Sequence, residues 1–103
     1  RLGFCYDASH ERLWGSGDLL RRHGDRLLAV HLSDNDGRLD RHWLPGDGVI
    51  DWPALLRDFP RGYRGPITLE VVAQDAQEAP GAFLDRAGGR VRWLADLIAQ
   101  PNL

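Results

Sequence analysis

"ITLEVV", residues 67–72, is the stretch on which the fold turns. Its residues are apolar or β-branched apart from Glu70. That composition reads as a strand buried on both faces, the kind found in parallel sheets. Glu70 is out of place in such a strand, because carboxylates are almost never fully buried unless they are paired or bound to a metal.

Two other runs repeat the pattern. "LGFCYD" (2–7) is apolar and ends on Asp7, and "RLLAVHLSD" (26–34) is apolar and carries His31 near its end. Helical stretches alternate with the runs. "GSGDLLRRHGD" (15–25) sets Leu19 and Leu20 among charges and ends near Gly24, which predicts a short helix with His23 at its C-terminal end. "DWPALLRDF" (51–59) predicts a second helix, with Asp51 as N-cap and Pro53 in the first turn, where a missing N–H costs little. "PGAFLDRAGGRVRWLADLIAQ" (80–100) predicts the closing helix, with Gly88-Gly89 weakening its middle. "AQDAQEAP" (73–80) reads as the most mobile loop. Strand and helix alternate three times, the signature of βαβ units in a parallel sheet. The expectation is an α/β chain forming one partial domain over residues 1–103.

Asp7, His31 and Glu70 sit at or near the C-terminal ends of their runs, where parallel α/β folds build their sites. Together they make a ligand set suited to hard metals or zinc. Each has a structural alternative: Asp7 caps a turn, His31 is a satisfied core histidine, Glu70 pairs with an arginine. Their coincidence at matching strand positions favours the ligand reading. His10 follows Asp7 by three, so one turn aims both inward. In "LDRHWLPGDGVIDW" (39–52), Asp40 and His42 point the same way if the segment is extended. They read either as further ligands or as solvated loop residues. Arg38 and Arg41 are candidates for holding a phosphate or hydroxyl groups of a substrate. Gly46-Asp47-Gly48 is weak as a phosphate loop. Cys5 reads as core. Trp14 and Trp43 read as pocket lining, Trp52 and Trp93 as packing.

Composition narrows the classes. The 103 residues suffice for one small domain with a modest core. Net charge is −2, which argues against a general attraction to nucleic acid. All 13 basic residues are arginine, so no Schiff-base lysine exists in this chain. The single cysteine excludes an internal disulfide and fits a reducing, cytoplasmic setting. No apolar run approaches the roughly 18 residues of a membrane span. There is no methionine, and the chain opens directly on a strand, so the expectation is a piece of a longer protein.

"DASH" (7–10), "VHLSDNDGRLDRHWLPGDGVIDW" (30–52) and "GYRGPITLEVV" (62–72) together resemble the xylose isomerase-like TIM barrels. That superfamily includes sugar isomerases and epimerases, dehydratase-like enzymes and apurinic endonucleases. The resemblance implies that the chain is the C-terminal three β/α units of a (β/α)8 barrel. It implies metal ligation by Asp7, His31 and Glu70, with Mn, Mg or Zn as the divalent cofactor. Glu70 would share acid–base work with a glutamate from an earlier strand. His10 would touch substrate or bind metal, and Asp40 and His42 would match an Asp-x-His zinc pair. Arg38 and Arg41 remain candidate substrate contacts. The implied activity is isomerisation or epimerisation of a small sugar or sugar phosphate by proton transfer next to a carbonyl. The alternatives are a zinc phosphodiesterase acting on abasic DNA, and an inactive chain that needs the N-terminal barrel half or self-association to complete it.

Overall fold

The computed structural model describes residues 2–100. Three parallel strands, β1 (Phe4–Asp7), β2 (Leu27–Leu32) and β3 (Ile67–Leu69), form one sheet in the order β1-β2-β3. Helices α1 (Ala8–Trp14) and α2 (Leu19–His23) connect the first pair, with a 3-10 turn over Gly24–Arg26. The second crossover is α3 (Trp52–Arg57), and α4 (Pro80–Ala99) closes the chain.

The register separates the sheet into two unlike faces. Tyr6, Val30 and Ile67 are neighbours across the strands, as are Asp7, His31 and Thr68. The Tyr6–Val30 row faces the helices and joins Leu32, Trp52, Leu56, Phe59 and Leu94 in the core. The other face carries Cys5, Asp7, Ala29, His31 and Thr68, and none of the described elements covers it. The expectation of a sheet buried on both faces therefore holds for one face only. Cys5 is exposed on the open face, not in the core.

β3 is also shorter than "ITLEVV" suggests. Parallel pairing stops at Leu69, although the Glu70 N–H still donates to Leu32 O at 3.1 Å. The Val72 N–H then donates to His42 O at 2.9 Å, so the chain runs on against the β2–α3 loop rather than along β2. Glu70 is 52% exposed, so the premise of a buried carboxylate fails.

The α3 reading matches its cap: the Asp51 carboxylate accepts from the Ala54 N–H at 3.1 Å, with Pro53 in the first turn. Gly88 and Gly89 do not interrupt α4. Each glycine costs about 1 kcal/mol in a helix interior, but their backbones stay helical, and α4 packs against α3 and β3, with Leu94, Leu97 and Ile98 of its second half in or against the core. Helix α1 was not expected. Its cap was visible in the sequence, since Asp7 accepts from the His10 N–H at 2.9 Å, but "ASHERLW" reads as a turn because it lacks an apolar stripe. The 73–80 segment is organised by Asp75, which accepts from the Gln77 N–H at 2.8 Å. Glu78 pairs with Arg86 through two 2.8 Å bonds.

Candidate metal centre

The C-terminal ends of the three strands bring Asp7, His31 and Glu70 together. One ligand atom from each lies within 4.8 Å of the other two. The cause is the register: Asp7 and His31 are direct partners across β1 and β2, and Glu70 follows β3 two residues beyond Thr68, the partner of His31. Residues two apart on a strand share a face, so Glu70 turns toward the imidazole. The His31 Nδ1 to Glu70 Oε2 distance is 3.7 Å. Asp7 is 18% exposed, His31 45% and Glu70 52%. The two carboxylates converge and, among the described residues, no arginine pairs with either, so a bound cation would relieve their repulsion. On the same face of β1 lies Cys5, whose thiol pKa is pushed up by desolvation and then by the Asp7 and Glu70 charges.

The other three expected ligands join the triad in a ring. His10 reaches Asp7 Oδ2 through Nδ1 at 3.4 Å and Asp40 Oδ2 through Nε2 at 2.9 Å. His42 Nε2 lies 3.4 Å from the same Asp40 oxygen. The circuit closes where His42 Nδ1 meets Glu70 O at 2.9 Å. A histidine whose Nδ1–H is held by a carbonyl presents Nε2 as its metal-binding nitrogen. Asp40 Oδ1 is buried without a hydrogen-bond partner among the described residues. His42 also has a left-handed backbone, φ 55°, an uncommon state for a residue with a side chain.

The arginines are placed differently. Arg41 Nε donates to Asp36 Oδ2 at 2.9 Å, and the guanidinium carbon lies 6.0 Å from the Trp43 ring. Asp36 also accepts the Arg38 and Leu39 N–H groups at 2.8 and 2.9 Å. Those two backbone bonds, then Arg41, hold its carboxyl down at about 2. Arg41 is thus committed to its own loop, while the Arg38 side chain is exposed on the same turn. Trp14, 69% exposed, sits against His10 with ring centroids 5.1 Å apart.

What holds this loop in place is a residue that the sequence reading passed over. Asp34 is fully buried, and among the described residues no positively charged side chain pairs with it. Its Oδ2 accepts from Trp52 Nε1 at 2.8 Å and the Gly46 N–H at 2.9 Å. Its Oδ1 accepts from the Asn35 and Ile50 N–H groups at 2.9 and 3.1 Å. Its backbone pairs with Trp43 in both directions, at 2.8 and 3.1 Å. Asn35, also buried, donates to Ser9 Oγ at 2.7 Å and so ties the loop to α1 beside His10. Gly48 is required by this packing: a Cβ there would stand 2.2 Å from Asn35 O and 2.5 Å from Asp34 Oδ1. The readable signal was the polar cluster "SDND" directly after a buried strand, followed by closely spaced glycines.

Comparison with known proteins adds a lineage. A family model described as xylose isomerase-like TIM barrel matches residues 1–97. An uncharacterized protein, y4fM, of Sinorhizobium fredii is 37% identical over 95% of this chain and 32% of its own. Fructoselysine 3-epimerase of Escherichia coli O157:H7 is 39% identical over 69% of this chain and 26% of its own. The rhizopine catabolism protein MocC of Rhizobium meliloti is 31% identical over 77% of this chain and 30% of its own. The chain thus spans about a third or less of the length of the curated relatives it matches. No solved structure gives a significant match. None of the described helices is long and apolar enough to cross a membrane.

Proposed function

This chain belongs to the xylose isomerase-like TIM barrel family, and on that premise we propose that it carries the metal-holding edge of a divalent-metal-dependent sugar isomerase or epimerase. The observation that carries the reading is the convergence of Asp7, His31 and Glu70 within 4.8 Å at the ends of three adjacent strands. Two carboxylates and an imidazole suit Mn²⁺ or Zn²⁺. Mg²⁺, which prefers all-oxygen ligation, fits less well. Bound there, such an ion would supply Lewis-acid polarisation of the substrate oxygens.

The chain's own residues contribute to the rest. Glu70 is both a ligand and one of two acid–base carboxylates: one removes the proton from the carbon next to the substrate carbonyl and the other, a glutamate of an earlier strand, delivers a proton on the opposite side. His10 faces Asp7 and Asp40 with its two ring nitrogens and bonds a substrate hydroxyl by exchanging its Asp40 contact for the substrate. Arg38 is the available contact for a phosphate or hydroxyl group; Arg41 reaches substrate only by leaving Asp36. Fructoselysine 3-epimerase and MocC among the relatives support a small sugar or sugar derivative as substrate.

The chain supplies the last three β/α units of the barrel, and the remaining units cover the open sheet face and pair with the free edges of β1 and β3. The small side chains Cys5 and Ala29 on that face support this assignment. A second reading, a zinc phosphodiesterase, is favoured by one observation: Asp40 Oδ1, beside His10 and His42, has no hydrogen-bond partner among the described residues and is an acceptor that a further cation would satisfy.

The test follows a ketose in D₂O with the protein that carries this chain. Solvent deuterium enters the carbon next to the carbonyl, and Glu70→Gln lowers that rate by roughly 10²–10⁴-fold, the range of general acid–base catalysis. Undiminished exchange in the variant overturns the proposal.

A further inference from the structure

Glu70 lies one residue past the end of β3, so strand pairing alone does not fix it. Its N–H still reaches Leu32 O, and from there the chain docks on the β2–α3 loop. Glu70 O meets His42 Nδ1, and the Val72 N–H donates to His42 O, each at 2.9 Å. The way Glu70 is presented to Asp7 and His31 therefore depends on where the loop holds His42. The left-handed backbone of His42, φ 55°, is a state that a residue with a side chain keeps only where its surroundings impose it.

The loop is gripped from two sides. Asp34 holds it from within, accepting the Gly46 N–H. Two arginines one turn apart on α4 hold the same turn from the helix side. Arg90 Nη1 donates to Pro45 O at 2.8 Å and to Asp47 Oδ1 at 2.7 Å. Arg86 Nη1 lies 3.7 Å from Asp47 Oδ2. Gly46 makes room for this approach: its φ is 101°, and a Cβ there would stand 3.3 Å from Arg90 Nη1. Arg86 also grips Glu78 through two 2.8 Å bonds, and Glu78 closes the segment that leads away from Glu70. Isolated surface ion pairs contribute little, but a forked arginine–carboxylate pair within a network is the exception. This network is also partly shielded: the Glu78 side chain is 15% exposed, and Pro45 is fully buried.

We infer that Arg86 and Arg90 are positioning residues for the metal centre. Through Asp47 and Pro45 O they set the β2–α3 loop against α4, and through His42 the loop sets Glu70. Both ends of the Glu70 segment, at His42 and at Glu78, are thereby referred to one turn of one helix. The inference rests on the proposed role of Glu70 as a ligand and makes that role depend on two arginines outside the ligand set.

The experiment follows amide hydrogen exchange in the isotope-labelled, metal-free chain, and Mn²⁺ affinity in the same variants. The Val72 N–H reports the docked segment. Arg90→Gln speeds its exchange about tenfold, the worth of a lost charge-assisted hydrogen bond, while Val30 and Leu32 in β2 keep their rates. Mn²⁺ affinity falls about tenfold, the low end for residues that orient ligands. Asp47→Asn acts in the same direction, and combining it with Arg90→Gln adds less than about twofold, because the two share one contact. Arg92→Gln, exposed on the same helix, changes neither reading. Unchanged exchange at Val72, equal acceleration in β2, additive effects of Asp47→Asn and Arg90→Gln, or accelerated exchange with unchanged Mn²⁺ affinity overturns the inference. Arg86→Gln, which breaks the same relay from its Glu78 side, decides if Arg90→Gln does not fold. A parent chain that binds no Mn²⁺ removes the metal reading instead, and the Val72 rate, measured without metal, still decides whether the arginines hold the Glu70 segment.

Discussion

Two carboxylate centres flank the end of β2, and they are built on opposite principles. Asp34 is fully buried and satisfied by four N–H donors, three from backbone and one from Trp52. Asp7 and Glu70 converge beside His31 in the open, and among the described residues no arginine pairs with them. A buried charge with every lone pair occupied is architecture: it fixes a loop and has nothing left to offer a ligand. A pair of like charges held together by strand register, not by attraction, is the feature on which the proposed metal site rests. Burial therefore marks the residue that supports, and exposure with convergence marks the residue that acts.

This contrast is broken most directly by Asp34→Ala. It strands the Trp52 indole N–H and three backbone donors in the interior. The expected loss is about 3–5 kcal/mol, the cost of breaking a buried charged network, read from urea denaturation. A loss under about 1 kcal/mol would remove Asp34 from its central role. Next comes Gly48→Ala, whose Cβ would stand 2.2 Å from the Asn35 carbonyl oxygen. The expected loss is about 1–3 kcal/mol, typical of overpacking. Loop amides from Asn35 to Ile50 should shift with it, and a spectrum unchanged across that loop would argue otherwise. The opposite expectation applies to Glu70→Gln. Stability should stay within about 0.5 kcal/mol of the parent, as for an exposed substitution, while metal binding is lost. A large destabilisation would make Glu70 a structural residue after all.

The smallest effect is a pH dependence. The Asp36 carboxyl is held down at about 2 by the Leu39 and Arg38 N–H groups and by Arg41. A depressed folded-state pKa contributes stability above the unfolded value, near 4, and that contribution is lost as pH falls through about 2. Amide exchange at Arg38 and Leu39 should accelerate across that window, while β2 amides stay protected. Uniform behaviour at the two places would show that Asp36 does not organise the turn.

The strand–helix alternation, the Asp51 cap and the parallel order were readable because apolar runs, cap residues and turn residues are local signals. The triad was readable for a partly mistaken reason. Glu70 was singled out as a buried carboxylate in a two-sided strand, yet the face is open and the strand ends at Leu69. Position at the strand end survived because it depends on register, which the alternation of side chains fixes. Asp34 was invisible because its role rests on donors at Asn35, Gly46, Ile50 and Trp52, spread over 18 residues of chain. α1 was missed because a cap without an apolar stripe reads as a turn, and tertiary contact with β2 supplies what the sequence pattern lacks.

The central claim is that Asp7, His31 and Glu70 hold one divalent ion, and native mass spectrometry of the chain with Mn²⁺ and with Zn²⁺ tests it most directly. The account predicts one Mn²⁺ per site, lost in Glu70→Gln and in His31→Ala while both variants keep their fold by circular dichroism. Metal stoichiometry unchanged in those two variants, or no metal bound by the folded parent, would contradict it.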